Sequence, residues 1–165
     1  MREILFKSKR ADTGEWVEGY YIYHINRTIC PFGDSIKPED EQHVIMQDGF
    51  SDWNMPRDTV HFDIIRETLC QYTGLKDKNG KRIWENDIVL LREEIQDYEW
   101  KAAVKFGNPN REYNWGWQLV PVGECEMNKD ILLWIDMDIA NCEVIGNIFD
   151  NPELIRQTDI YGGNK

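Results

Sequence analysis

The stretch Leu75-Lys76-Asp77-Lys78-Asn79-Gly80-Lys81-Arg82-Ile83-Trp84 limits what this chain can fold into more than any other. A two-residue hairpin turn of type I′ needs positive φ at both central residues, and Asn-Gly meets that need best, so Asn79-Gly80 predicts a β-hairpin. Ile83-Trp84 completes it, and Ile88 to Arg92 supplies the next strand. Asn86, between Glu85 and Asp87, predicts a tight bend through the left-handed region. Apolar residues recur with a period of two on both sides of this block, the signal of half-buried strands. Leu5 to Arg10 and Glu15 to Ile25 form a first hairpin around Ala11-Asp12-Thr13-Gly14, and His43 to Met46 reads as a short strand. Val60 to Tyr72 is rich in β-branched residues and reads as extended chain. Trp100 to Phe106 and Trp115 to Val122 form a later hairpin around Gly107-Asn108-Pro109-Asn110, and Cys142 to Phe149 closes the series. Ile131 to Ile135 is apolar on every side, so helix and strand both remain open there. Asn151-Pro152-Glu153 predicts one helical turn, and Tyr161 to Lys165 a frayed end. The class is all-β.

Charge narrows the function classes. The 165 residues hold 30 acidic and 19 basic side chains, a net charge of -11. Residues 1–65 carry -5, residues 66–82 carry +3 and residues 83–165 carry -9. A non-specific nucleic-acid binder needs clustered Lys and Arg against phosphate, so such a partner is not expected. The acid is dispersed and reads as a solvated surface. No apolar run approaches a membrane span, and Met1 to Arg10 does not resemble a signal peptide, so a cytoplasmic protein is expected. Cys30, Cys70, Cys125 and Cys142 are widely spaced and read as separate thiols filling small apolar spaces. A zinc knuckle is absent, although a cluster of Cys30, His24 and His43 in space stays open. No metal and no cofactor is expected.

The block Gln71-Tyr72-Thr73-Gly74-Leu75-Lys76-Asp77-Lys78-Asn79-Gly80-Lys81, followed by Ile83, Glu85 and Asp87-Ile88-Val89, resembles the central signature of the YopX family of phage and prophage proteins. Phe6-Lys7, followed by Gly14-Glu15-Trp16-Val17-Glu18-Gly19-Tyr20, is similar to that family's N-terminal hairpin. Glu143-Val144-Ile145-Gly146-Asn147-Ile148-Phe149-Asp150-Asn151-Pro152-Glu153-Leu154 is similar to its closing motif. Asn86 stands where the family usually has Gly. The resemblance implies an SH3-like barrel in the C-terminal part, preceded by a smaller β-rich N-terminal part. It implies no activity and no catalytic residue. The expected organisation is an N-terminal β unit over 1–62, a barrel over 63–150 and a terminal turn and tail over 151–165.

Two sets of residues invite a binding role. Lys76, Lys78, Lys81 and Arg82 cluster beside a Gly-containing turn that could cradle an anion, although turn chemistry and edge protection already account for them. Tyr113, Trp115 and Trp117 alternate along a strand and share one face, which is either core or a recognition shelf. Glu85 with Asp87 and Asp136 with Asp138 are carboxylate pairs at strand spacing, but with no fixed partner they read as solvated. No nucleophile motif accompanies any cysteine, so no enzyme is expected. The leading expectation is a non-enzymatic phage or prophage accessory protein in the host cytoplasm, binding a protein partner with a basic face. The alternative is a small nucleic-acid-binding barrel using the tip from Lys76 to Arg82. Open strand edges and surplus aromatics also suit a homo-oligomer.

Overall fold

The structure is a computed structural model describing residues 3–30, 32–93, 98–111, 115–123, 128–136 and 140–155. It is all-β in its main elements, with strands in antiparallel pairs, as the period of two predicts. The chain divides into two compact units, residues 1–71 and 72–165.

In the first unit β1 (Phe6–Lys9) pairs with β2 (Trp16–Ile25), β2 with β3 (Glu41–Asp48), and β3 with β4 (Thr59–Asp63). Val17, Ile45 and Ile64 make the buried core, with Phe6, Tyr21, Phe62 and Leu69 packed on it. The extended stretch expected from Val60 to Tyr72 is interrupted. After β4 the chain makes a 3-10 turn at Arg66–Thr68 before β5 (Cys70–Lys76) begins. The cause is a pair of buried hydroxyls. Thr68 donates to the carbonyl of Ile65 at 2.8 Å and accepts from the amide of Lys9 at 2.9 Å. The Ser8 and Thr68 hydroxyls lie 2.8 Å apart, and Ser8 is fully buried. Local hydroxyl bonds to backbone compete with strand ladders, and here they win. Residues 63–71 therefore lie with the first unit rather than in the part beginning at residue 63.

β5 crosses the division: Cys70 and Gln71 pair with β1, and Tyr72 onward pairs with β6 (Arg82–Trp84). The second unit continues with β7 (Asp87–Glu93), β8 (Tyr98–Gly107), β9 (Gly116–Pro121), helix α1 (Ile131–Asp136) and β10 (Ala140–Asn147). Its four-stranded sheet runs β10-β7-β8-β9. β9 and β10 stand at opposite ends of that order, so no ring of pairing closes among the described residues. Alternate residues Val89, Leu91, Trp100, Ala102, Val104, Trp117, Leu119, Cys142 and Val144 point to one face and bury against Ile131 and Trp134 of α1. The ambiguity at Ile131 to Ile135 is thereby resolved as a short helix. The terminal turn forms at Pro152–Ile155, and Tyr161 to Lys165 lies outside the described residues.

The hairpin at Asn79-Gly80 is held by one buried carboxylate. Asp77 Oδ1 accepts from the amides of Asn79 and Lys81, both at 2.9 Å, and Oδ2 accepts from the amide of Val144 at 3.1 Å. Gly80 takes φ 79 and its amide donates to the Asp77 carbonyl at 2.9 Å, but Asn79 stays at negative φ and Lys76 pairs with Arg82, so the loop is not the two-residue type I′ turn expected at Asn79-Gly80. Asn86 adopts φ 67, the predicted left-handed bend, and exchanges backbone bonds with Val104 and Ile148. A buried donor stripped of its acceptor forfeits its full hydration. Asp77→Ala is therefore expected to lower stability by about 2–4 kcal/mol, read from urea denaturation followed by tryptophan fluorescence.

Candidate functional site

The basic tip is built as a turn. An anion cradle would need free amides, but the amides of Asn79, Gly80 and Lys81 all donate to Asp77. The Lys78 amine sits 2.6 Å from Glu143 Oε2, and its amide donates to the Cys142 carbonyl at 3.0 Å. The Arg82 guanidinium lies over the Tyr72 ring at 5.4 Å. Lys76 and Lys81 are exposed. The four cations are thus neighbours in the fold, with two of them engaged by the protein itself.

Of the aromatic shelf, the two described residues, Trp115 and Trp117, are not placed alike. Tyr113 lies outside the described residues. Trp117 is 8% exposed and packs edge-on against Phe106 at 5.0 Å, whereas Trp115 is 76% exposed. The strand starts only at Gly116, so the alternation that would place both rings on one face does not reach back to Trp115.

The other candidate groups serve the fold. Asp87 is buried and accepts from the Trp84 amide at 2.9 Å, while Glu85 is half-buried. Asp138 lies outside the described residues, as does the side chain of Asp136. Cys70 and Cys142 are buried, as expected of small apolar fillers, but Cys30 is exposed. Burial pushes the Cys142 thiol up to about 12, with the charge of Asp77 adding to it and that of Lys78 opposing. His24 stands opposite Gln42 and His43 opposite Tyr23, so the two imidazoles fall on opposite faces of the sheet. Among the described residues no group of three or more His, Cys, Asp or Glu is placed to hold a metal ion.

His43 belongs to a chain of its own. Its Nδ1 is 2.6 Å from the Tyr21 hydroxyl, its Nε2 3.4 Å from Glu41 Oε2, and Arg66 approaches the same carboxylate oxygen at 3.4 Å. Burial raises the Tyr21 hydroxyl above its ordinary value, so the phenol stays protonated and is a poor nucleophile.

Among the described residues, two concavities and one loop stand out. In the second unit a cavity of about 600 Å³ is lined by Ala103, Lys105, Val120, Pro121, Ile148 and Ile155 among others. Lys105, the titratable group among the described lining residues, donates to the side chain of Asn86. In the first unit a groove of about 470 Å³ runs beside β4, lined by Arg10, Ala11, Asp12, His61, Phe62 and Asp63. The loop from β3 to β4 presents Phe50, Trp53 and Met55 at 89%, 92% and 64% exposure. It has internal order: the Gly49 amide donates to the Asp58 carbonyl at 2.7 Å, and Arg57 pairs with Asp48 at 2.8 Å across its base. Asn54 takes φ 62, and the Met55 amide donates to the Asp52 carbonyl at 3.1 Å. These residues lack periodicity, so no repeating pattern marks them. Three large apolar side chains among Gly, Asp, Asn and Pro were the available signal.

An antiparallel all-β protein is what the geometry defines. The match to the YopX family, described as YopX protein, extends over residues 11–156, and the chain belongs to that family. Among solved structures it is similar to protein EF1440 from Enterococcus faecalis, at 19% identity and a TM-score of 0.47, covering 94% of this chain and 100% of that one. No functionally curated protein matches. No helix among the described residues is long and apolar enough to cross a membrane.

The loop at residues 26–40 is pinned by Arg27, whose guanidinium bonds Asp40 at 2.7 and 2.9 Å and Asp34 at 2.7 Å. The Arg27 bonds, helped by the Cys30 amide, hold the Asp34 carboxyl down to about 2, against an ordinary 3.8. A carboxyl lowered by folding stabilises above its ordinary value and loses that contribution as pH falls through the folded one. Acid titration is therefore expected to leave this loop intact at pH 5 and to release it on approach to about pH 2. The amide chemical shift of Cys30 reads the transition, and in Arg27→Ala it should move toward the ordinary carboxylate range.

Proposed function

We propose that this protein is a non-enzymatic binding module, a phage or prophage accessory protein acting in the host cytoplasm on a protein partner with a basic face. The observation that carries the reading is the ordered loop that holds Phe50, Trp53 and Met55 in solvent. Binding energy at protein interfaces concentrates in a few such anchors, and a contiguous exposed apolar set usually marks a contact surface. Asp48, Asp52 and Asp58 flank these anchors, with Arg57 already paired to Asp48, so the surroundings favour a basic rim on the partner. The net charge of -11 acts in the same sense at long range.

Catalysis is left out of the reading because the carboxylates of Asp77 and Asp87 accept backbone amides and the Tyr21 phenol is held protonated. No cofactor is proposed. Nucleic-acid binding through Lys76 to Arg82 gains no support from a tip whose turn amides are consumed by Asp77. The second unit is read as SH3-like: β7, β8 and β9 form a meander, a short helix follows, and β10 returns to the first strand of the meander.

Affinity capture from a bacterial host extract, run side by side with wild type and a Phe50→Ser/Trp53→Ser variant, tests the function. A protein retained by wild type is expected to fall at least roughly tenfold in the variant, consistent with the loss of two anchors. Its association rate should drop as salt rises. Equal retention by both proteins would overturn the reading.

A further inference from the structure

In an antiparallel ladder, successive residues turn their N–H and C=O groups to opposite sides. The even-numbered residues around β4 face β3. The Ile64 amide donates to the His43 carbonyl at 3.2 Å, and the Asp58 carbonyl accepts from Gly49. The odd-numbered residues therefore face away. Two of them are met by the chain itself: the Ala11 amide donates to the Asp63 carbonyl, and the Ile65 amide to the Lys9 carbonyl, both at 2.8 Å. Past Ala11 the first hairpin turns back toward β2. Thr59 and His61 are left with outward-facing backbone groups and no paired strand among the described residues. Thr59–Asp63 contains no proline, no lysine and no register shift, the usual devices that protect an edge.

The groove of about 470 Å³ lies against this edge, and its charge is uneven. Arg10 is spent on Asp12, through bonds of 2.9 and 2.6 Å, and lies over the Phe62 ring at 4.4 Å. Asp63 accepts from the neutral Gln42 side chain at 2.9 Å. One carboxylate of the groove thus has no cation within it to balance.

We propose that the outer edge of β4 receives an extended segment of a partner protein as an added strand, with a lysine or arginine of that segment in the groove beside Asp63. The inference rests on the binding function above and names its mode and partner chemistry. Bonds to the backbone of Thr59 and His61 give affinity of a sequence-tolerant kind, and the groove supplies the preference for a basic side chain. A second copy of this chain is the poorer occupant, since each copy brings the same net charge of -11.

The test uses the full chain and two labelled short peptides, one alternating lysine with valine and one alternating glutamate with valine. Binding is read by anisotropy, and amide exchange is read residue by residue. The lysine peptide is expected to bind, to weaken with salt and to slow exchange at Thr59 and His61. The glutamate peptide should bind at least roughly tenfold more weakly. His61→Pro removes an outward amide and no bond to β3, so it should weaken the lysine peptide roughly tenfold, with Thr59→Pro as a second variant if the first misfolds. Asp63→Asn should narrow the preference for lysine while leaving amide protection in place. Unprotected amides, or wild-type affinity in the proline variants, would overturn the proposal. Equal affinity for both peptides would overturn the basic partner, and a dimer that protects these amides would assign the edge to a second copy. If the edge stays unprotected while Phe50 and Trp53 still govern capture, the mode falls and the binding function stands. The converse result separates them in the other direction.

Discussion

A single buried carboxylate, Asp77, ties the hairpin tip of the second unit to its last strand across 67 residues. It closes a turn two to four residues ahead and binds an amide in β10, at Val144. Charge-assisted bonds from amides to a carboxylate are stronger than neutral ones, and three of them offset the cost of taking the charge out of water. The neighbouring Lys78 amide bonds to the Cys142 carbonyl, so the hairpin tip and the last strand are stitched by both backbone and side chain. The same burial that makes these bonds strong keeps the Cys142 thiol protonated. In this region polar chemistry is consumed by architecture.

That consumption explains why family membership carries fold more readily than activity here. The residues that resemble the family signature are those with a local structural task. Thr73 donates to the Ile83 carbonyl at 2.7 Å, Asp87 accepts from Trp84, and Gly80 and Asn86 take the left-handed backbone. Gly146 is another case, because a Cβ there would meet Asn151 Oδ1 at 2.5 Å. None of these groups is left exposed and convergent, which is what a reacting site requires.

The parts legible in the sequence were those with local causes. Gly80 and Asn86 mark their turns because few residue types tolerate positive φ, and the alternation of Trp100, Ala102 and Val104 marks the buried side of β8, although Phe106 at its end is exposed. The interruption at Arg66–Thr68 was not legible, since it depends on Ser8 meeting Thr68 across a gap of 60 residues. Trp115 and Trp117 were read as equivalent because a periodic pattern does not state where a strand begins. Of the candidate binding residues, the basic tip is a turn in the structure, whereas Phe50, Trp53 and Met55 carry no periodic signal in the sequence pattern. An exposed anchor has no packing partner in its own chain, so no periodicity reports it.

The first hairpin sets how much of β4 is open, a matter of chain length more than of chemistry. Lys9 to Ala11 cover Asp63 and Ile65, and the turn that ends at Gly14 (φ 72) stops the cover there. Two further residues on each arm would carry the cover as far as His61, and two fewer would bare Asp63. Insertions and deletions at this turn would thus act as a dial on the width of the uncovered strand, leaving the core of Val17, Ile45 and Ile64 untouched. Relatives of the same fold could differ in the partners they admit without changing a single buried side chain.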